Sequence, residues 1–154
     1  MKRLEVYKGQ VLQRPGDLNS KTYHVKSGLL RCYIIDEKGK EHIYMFASEN
    51  WIIGDSVPPE KPCELFIDSI EDSIVIQGEK EIELVEPQKL LKRLEVLQKR
   101  IIMLMSASAI ERYEYFIETY PDIVQRVPQK MIASFLGITP ESLSTVKRIW
   151  LQKR

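Results

Sequence analysis

The stretch Gln129-Lys130-Met131-Ile132-Ala133-Ser134-Phe135-Leu136-Gly137-Ile138-Thr139-Pro140-Glu141-Ser142-Leu143-Ser144-Thr145-Val146 reads as two short helices meeting at a sharp corner. Val127-Pro128 puts a proline where the first helical residue is expected, and proline suits that position because its missing N–H has no helical partner there. Ile132 and Leu136 form the inner face of the first helix, and Ala133 is small where a second helix must cross closely. Gly137 stands where the chain must turn left-handed to end the helix, a conformation that costs glycine little. Ile138 fills the corner. Thr139 is a good N-cap, Pro140 a good first residue, and Glu141 complements the positive end of the helix dipole. Leu143 and Val146 then face back onto the first helix. This is the pattern of a helix-turn-helix, whose second helix is expected to lie in a DNA major groove.

The residue types on the outer side agree with that expectation. Thr139, Pro140, Glu141, Ser142, Ser144, Thr145 and Arg148 are expected to face outward, with Gln129 at the start of the first helix. Hydroxyls can contact bases or phosphates, and a carboxylate can accept from the cytosine amino group. Lys147, Arg148, Lys153 and Arg154 are expected to meet phosphates and set register and salt dependence. The charge is unevenly spread. Residues 125–154 carry six basic side chains against Glu141 alone, whereas the chain as a whole is only +1. A basic end on a near-neutral protein points to a polyanion as its partner.

Working toward the N-terminus, Ser108-Ala109-Ile110-Glu111 is a capping box that opens a further helix, with Ile110, Tyr113, Phe116, Ile117 and Tyr120 on its apolar face and Pro121 ending it. Before it, Leu90, Leu94, Leu97, Ile101 and Leu104 recur at spacings of four and three, an a/d seam of about two heptads. Such a seam wants a partner helix or the chain's own β-rich half; a second copy of the chain is the expected partner, making a homodimer.

Up to about residue 78 the period is different. Short segments rich in β-branched and aromatic residues are separated by turn signals: Val11–Gln13, Thr22–Lys26, Leu29–Ile35, Glu41–Ala47, Trp51–Ile53, Glu64–Ile70 and Ser73–Gln77. Asp36-Glu37-Lys38-Gly39-Lys40 reads as a hairpin turn, and strand-like sequence begins almost at Met1. Many short strands at this spacing predict a sandwich, jelly roll or barrel. The expected fold class is therefore α+β, with three parts. A jelly-roll barrel covers 1–86, a dimerisation helix 87–106, and a helical DNA-binding domain 107–154.

The chain resembles the Crp/Fnr transcription regulators, whose sensor half is a cyclic-nucleotide-binding-type jelly roll. The resemblance rests on Tyr23-His24-Val25-Lys26-Ser27-Gly28-Leu29-Leu30-Arg31 with Gly39-Lys40-Glu41, on Asn50-Trp51-Ile52-Ile53-Gly54-Asp55, on Glu111-Arg112-Tyr113, and most specifically on Arg126 to Ser144. It implies a homodimer on a two-fold DNA site with the heptad helix as its axis. It also implies an effector site at Gly54-Asp55, matching a Gly-Glu that holds a ribose hydroxyl in members binding cyclic nucleotides. The arginine that such members place nearby to neutralise the phosphate has no counterpart. Lys61 sits between prolines, and Glu64 stands near its place and would repel an anion. A small-molecule effector fits the family; a cyclic nucleotide is not expected here.

Other expectations are negative. Two cysteines, Cys32 and Cys63, are too few for an iron–sulfur cluster held by four, and His24 and His42 are isolated, so no cofactor or metal is expected. A cupin-like metalloenzyme needs several converging ligands, and no phosphate loop or nucleophile elbow occurs; an enzyme is not expected. No stretch of about 18 apolar residues exists, so no membrane partner is expected and the cytoplasm is the expected compartment. The β-wing of many relatives is expected to be missing, because the chain ends at Arg154, and Thr145 stands where relatives often carry a basic base-reading residue. A second reading follows from those departures: a relative that dimerises and acts through protein contact without binding DNA.

Overall fold

The computed structural model describes residues 1–80 and 86–154. It divides into two compact units, Met1–Ile82 and Glu83–Arg154. The short connection expected from Gln77 to Pro87 lies partly outside the described residues.

Among the described residues the first unit has eight strands: β1 (Lys2–Val6), β2 (Val11–Gln13), β3 (Thr22–Ser27), β4 (Leu30–Ile35), β5 (Glu41–Ala47), β6 (Ile52–Gly54), β7 (Phe66–Ser69) and β8 (Ser73–Gly78). They form two four-stranded sheets, ordered β1-β8-β3-β6 and β2-β7-β4-β5, and every pairing is antiparallel. Alternation along the strands puts one face of each sheet inward. Val6, Tyr23, Val25, Ile53 and Val75 come from one sheet and Leu30, Cys32, Ala47 and Ile67 from the other, and together they make the core. This is the double-sheet layout of a jelly roll. The β4–β5 turn is held by Asp36, whose carboxylate accepts from the amides of Lys38 (2.9 Å) and Lys40 (3.0 Å) and pairs with His42 (2.8 Å). That hydrogen bond from His42, with those of the two amides, holds the Asp36 carboxyl below the usual carboxylate range.

A polar cluster ties β4, β5 and β7 together. The Arg31 guanidinium, almost wholly buried, grips Asp68 with two bonds of 2.8 and 2.9 Å and Glu41 with two of 2.5 and 3.4 Å. It also lies over the Tyr33 ring, whose hydroxyl donates to Asp68 (3.1 Å). A buried charge is tolerable only when paired and hydrogen-bonded, and this one is.

The second unit contains α1 (Pro87–Ser106), α2 (Ala109–Thr119), α3 (Gln129–Leu136) and α4 (Pro140–Gln152). The capping box at Ser108 and Glu111 is formed in both directions. Pro128 is the N-cap of α3 rather than its first helical residue, with an extended ψ of 141°, one position earlier than the sequence suggests. The core of this unit joins Tyr113 and Phe116 of α2, Ile132, Ala133, Phe135 and Leu136 of α3, and Leu143 and Val146 of α4, with Ile123 and Val127 from the connecting loop.

Candidate functional site

The corner between α3 and α4 sets the direction of α4 in the second unit. Gly137 ends α3 with φ +65° and ψ 31°, and the Ile138 amide closes back on the Ala133 carbonyl at 3.1 Å. Left-handed closure of this kind satisfies carbonyls that a helix end leaves without partners. Two more are satisfied from a distance. Arg100 of α1 donates to the Phe135 carbonyl (2.9 Å) while lying over the Phe135 ring, and Arg112 of α2 donates to the Leu136 carbonyl (3.0 Å). Arg112 also holds the carbonyls of Leu104 (2.8 Å) and Ala107 (3.0 Å), so one side chain ties α1, α2 and α3. The positive charges stand at the negative end of the α3 dipole, where they stabilise it.

α4 starts on Thr139, whose hydroxyl accepts from the Ser142 amide at 3.1 Å, followed by Pro140. Leu143 and Val146 point into the core, so the opposite side of the helix is presented outward. Thr139, Pro140, Glu141, Ser142, Ser144, Thr145 and Arg148 are all exposed. Lys147 is half-buried and donates to the Gln129 side-chain oxygen at 2.9 Å, bridging α4 to the N-terminus of α3. Gln129, Ser144, Lys147, Arg148, Leu151 and Gln152 line one open concavity of about 520 Å³. Two of the basic residues toward the end of the chain differ from Lys147 in what they touch. Arg154 folds back over the Trp150 ring at 4.2 Å, whereas Arg148 has no hydrogen bond or ion pair among the described residues.

On α1 the seam residues Leu90, Leu94 and Ile101 are exposed at 50%, 54% and 56%, and Leu97 is half-buried. Leu104 is half-buried and turned toward the Gly137 corner. Leu91, Ile102 and Met105 are exposed too, so the apolar face is wider than the two-position seam. Their spacing does not match the heptad, so the pattern alone passes over them.

In the first unit, Gly54 ends β6 and Asp55 follows it, buried. The Asp55 carboxylate accepts from the amides of Val57 (2.9 Å), Glu64 (2.8 Å) and Leu65 (3.0 Å). It therefore organises its own loop. Lys80 braces the same loop, donating to the Val57 carbonyl (2.9 Å) and Ser20 (2.7 Å), and burial pulls its pKa down. Cys63 is buried against the Arg14 carbonyl, and burial pushes its thiol pKa up. Neither cysteine is in a disulfide. Among the described residues no group of three His, Cys, Asp or Glu side chains could hold a metal ion, and no helix is long and apolar enough to cross a membrane.

Comparison with solved structures places this fold. A Crp/Fnr-family transcriptional regulator from Thermus thermophilus superposes with a TM-score of 0.80 at 16% identity, over 99% of this chain and 87% of that one. FixK2 from Bradyrhizobium japonicum gives 0.78 at 17% identity, over 99% and 85%. The c-di-GMP-responsive global regulator CLP from Xanthomonas campestris gives 0.73 at 14%, over 99% and 87%. At these identities the likeness is one of fold: the chain has the mixed α+β architecture of Crp/Fnr regulators. No protein-family model and no curated protein matches the sequence.

Proposed function

We propose that the chain is a transcription regulator of the Crp/Fnr type that binds double-stranded DNA sequence-specifically as a homodimer. In this reading residues 1–86 are a sensor-like barrel, 87–106 the dimerisation helix and 107–154 the DNA-binding part, with α3 and α4 as a helix-turn-helix. The observation that carries it is the outward face of α4, where Glu141, Ser144, Thr145 and Arg148 are exposed beside the Lys147–Gln129 bridge. That face belongs to a C-terminal segment, residues 125–154, of net charge +5. Glu141, Ser144 and Thr145, with Thr139, Pro140 and Ser142 at the helix start, meet base edges, while Gln129, Lys147 and Arg148 meet phosphates. The exposed Leu90, Leu94 and Ile101, with Leu97, supply the partner contact for the second copy. The fold shared with regulators supports the assignment, and a DNA partner implies action in the cytoplasm.

The barrel senses an unidentified small molecule or none. The three amides gathered by Asp55 support a structural role for that residue, and Glu64 beside them opposes a cyclic phosphate.

Fluorescence anisotropy of labelled duplex DNA over a salt series tests the proposal. Binding should weaken linearly in log–log form, and Lys147→Ala or Arg148→Ala should each reduce the slope by about one. A folded protein that binds no duplex at low salt would leave the protein-contact reading in its place.

A further inference from the structure

Only Ala107 and Ser108 separate α1 from α2, and both are extended, with ψ of 142° and 165°. Two such residues between helices are enough for a hinge, because a few dihedrals absorb a large reorientation. Here the joint is crossed by side chains from both of its sides. Arg112, in the first turn of α2, donates to the Leu104 carbonyl in the last turn of α1, to Ala107 in the joint itself, and to Leu136 at the end of α3. Arg100 reaches the opposite way, from α1 to the Phe135 carbonyl at 2.9 Å, with its guanidinium 3.6 Å from the centre of the Phe135 ring. A guanidinium is planar and holds its donors in a fixed fork, so bonds to several segments set an orientation as well as a distance. Phe135 in turn packs edge-on against Phe116 and Tyr120 of α2, at 5.6 and 5.5 Å. Only Gly137, Ile138 and Thr139 then separate α3 from α4. An unbroken series of short contacts therefore runs from α1 to α4.

The loop after Gly54-Asp55, expected from the sequence to hold an effector, is likewise closed by the chain itself. Besides the three amides on Asp55, the Gly16 amide donates to the Cys63 carbonyl (2.8 Å), the Cys63 amide to the Asp17 carbonyl (2.9 Å) and the Asn19 amide to the Pro59 carbonyl (2.9 Å). The amides that would have to receive a ligand already have partners.

We propose that Arg100 and Arg112 are positioning residues that set the direction of α4 relative to α1 before DNA arrives, so that the chain binds its site without an effector. The inference rests on the DNA-binding reading above and specifies its regulation. A joint held in the binding orientation keeps the full affinity, whereas a loosened joint lowers it by the fraction of molecules that remain aligned.

Spin labels introduced through K92C and Q152C, both exposed positions, report the distance between α1 and α4. Cys32 and Cys63 are buried, and an excess of unlabelled chain confines the signal to one copy. The free wild type, checked by native mass spectrometry for bound small molecules, should give one narrow distance. That distance should stay the same when the duplex it selects from random DNA is added. R100M should broaden the free distribution and bind that duplex about tenfold more weakly, the worth of one hydrogen bond to a charged group. Its salt slope should not change, because no phosphate contact is lost. R100K, which keeps a donor for the Phe135 carbonyl and a cation near the ring, should recover most of the affinity. Circular dichroism verifies that the variants stay folded. Three results would overturn the inference and leave DNA binding standing: a wild-type distance that changes on DNA binding, a small molecule required for binding, or an R100M chain that binds as tightly as wild type. A salt slope reduced by about one in R100M would also overturn it, by making Arg100 a phosphate contact. Failure of the wild type to select any motif would overturn the DNA-binding reading and this inference with it.

Discussion

The Arg112 guanidinium of α2 donates to the Leu136 carbonyl at the last residue of α3, at 3.0 Å, immediately before the Gly137 turn. Because the same side chain holds the Leu104 and Ala107 carbonyls, the corner that aims α4 is fixed by a residue 24 positions away from it in sequence. Arg112→Met keeps much of the apolar stem and removes all three bonds. It should destabilise the second unit by on the order of 3 kcal/mol, since bonds to charged groups are the stronger ones and three carbonyls lose their partner. Urea unfolding followed by circular dichroism measures this, and a loss of well under 1 kcal/mol would refute the anchoring role.

Two of the five glycines with positive φ, Gly28 and Gly137, should not respond alike. At Gly28, φ is +94° and an added Cβ would collide with the Ser73 side chain and backbone. Ser73 is buried, and its hydroxyl accepts from the Leu29 amide. At Gly137, φ is +65° and the nearest atoms are ordinary neighbours at 3.4 Å or more. Gly137→Ala should cost about 1 kcal/mol, the left-handed penalty alone. Gly28→Ala should cost clearly more, and the difference in thermal midpoints reads it.

Tyr33 gives a signature at high pH. Burial, and next the negative charge of Asp68, push its phenol up to about 12, above the ordinary 10. The folded state thus holds a proton that the unfolded chain loses. This contribution to stability is complete below pH 10 and disappears as pH rises from 10 toward 12. Ultraviolet titration of tyrosinate should show a late-ionising component that Tyr33→Phe removes.

The proposed homodimer uses the exposed apolar face of α1. Leu94→Asp places a charge on that exposed face, so the monomer fold should lose little while the dimer is disrupted. Sedimentation should show monomers in place of dimers, and a dimer of unchanged strength would rule out this face as the axis.

Local chemistry explains which parts could be anticipated. Gly137, Thr139 and Pro140 act on backbone within a few residues of themselves, so the corner between α3 and α4 is visible in the chain order alone, as are the strands between Val11 and Gly78 and the capping box at Ser108. Pro128 sits one residue earlier than expected because proline is equally suited to a position with no helical N–H partner. Arg100 gives no signal, and Arg112 stands out only within Glu111-Arg112-Tyr113 with nothing to show what it holds, since their carbonyl partners lie 35 and 24 residues away. Asp55 is recognisable as part of a Gly-Asp pair, but nothing in that pair reveals that its oxygens gather the amides of Val57, Glu64 and Leu65. Leu104 fits the heptad and yet turns toward Gly137, because helix spacing fixes direction without saying which neighbour fills it.

The most direct measurement is selection from a random duplex-DNA library with the purified chain at near-physiological salt. A dimer presenting two copies of α4 should recover a two-fold symmetric motif with half-sites about 34 Å, or one helical turn, apart. A folded, dimeric protein that recovers no motif would contradict the account.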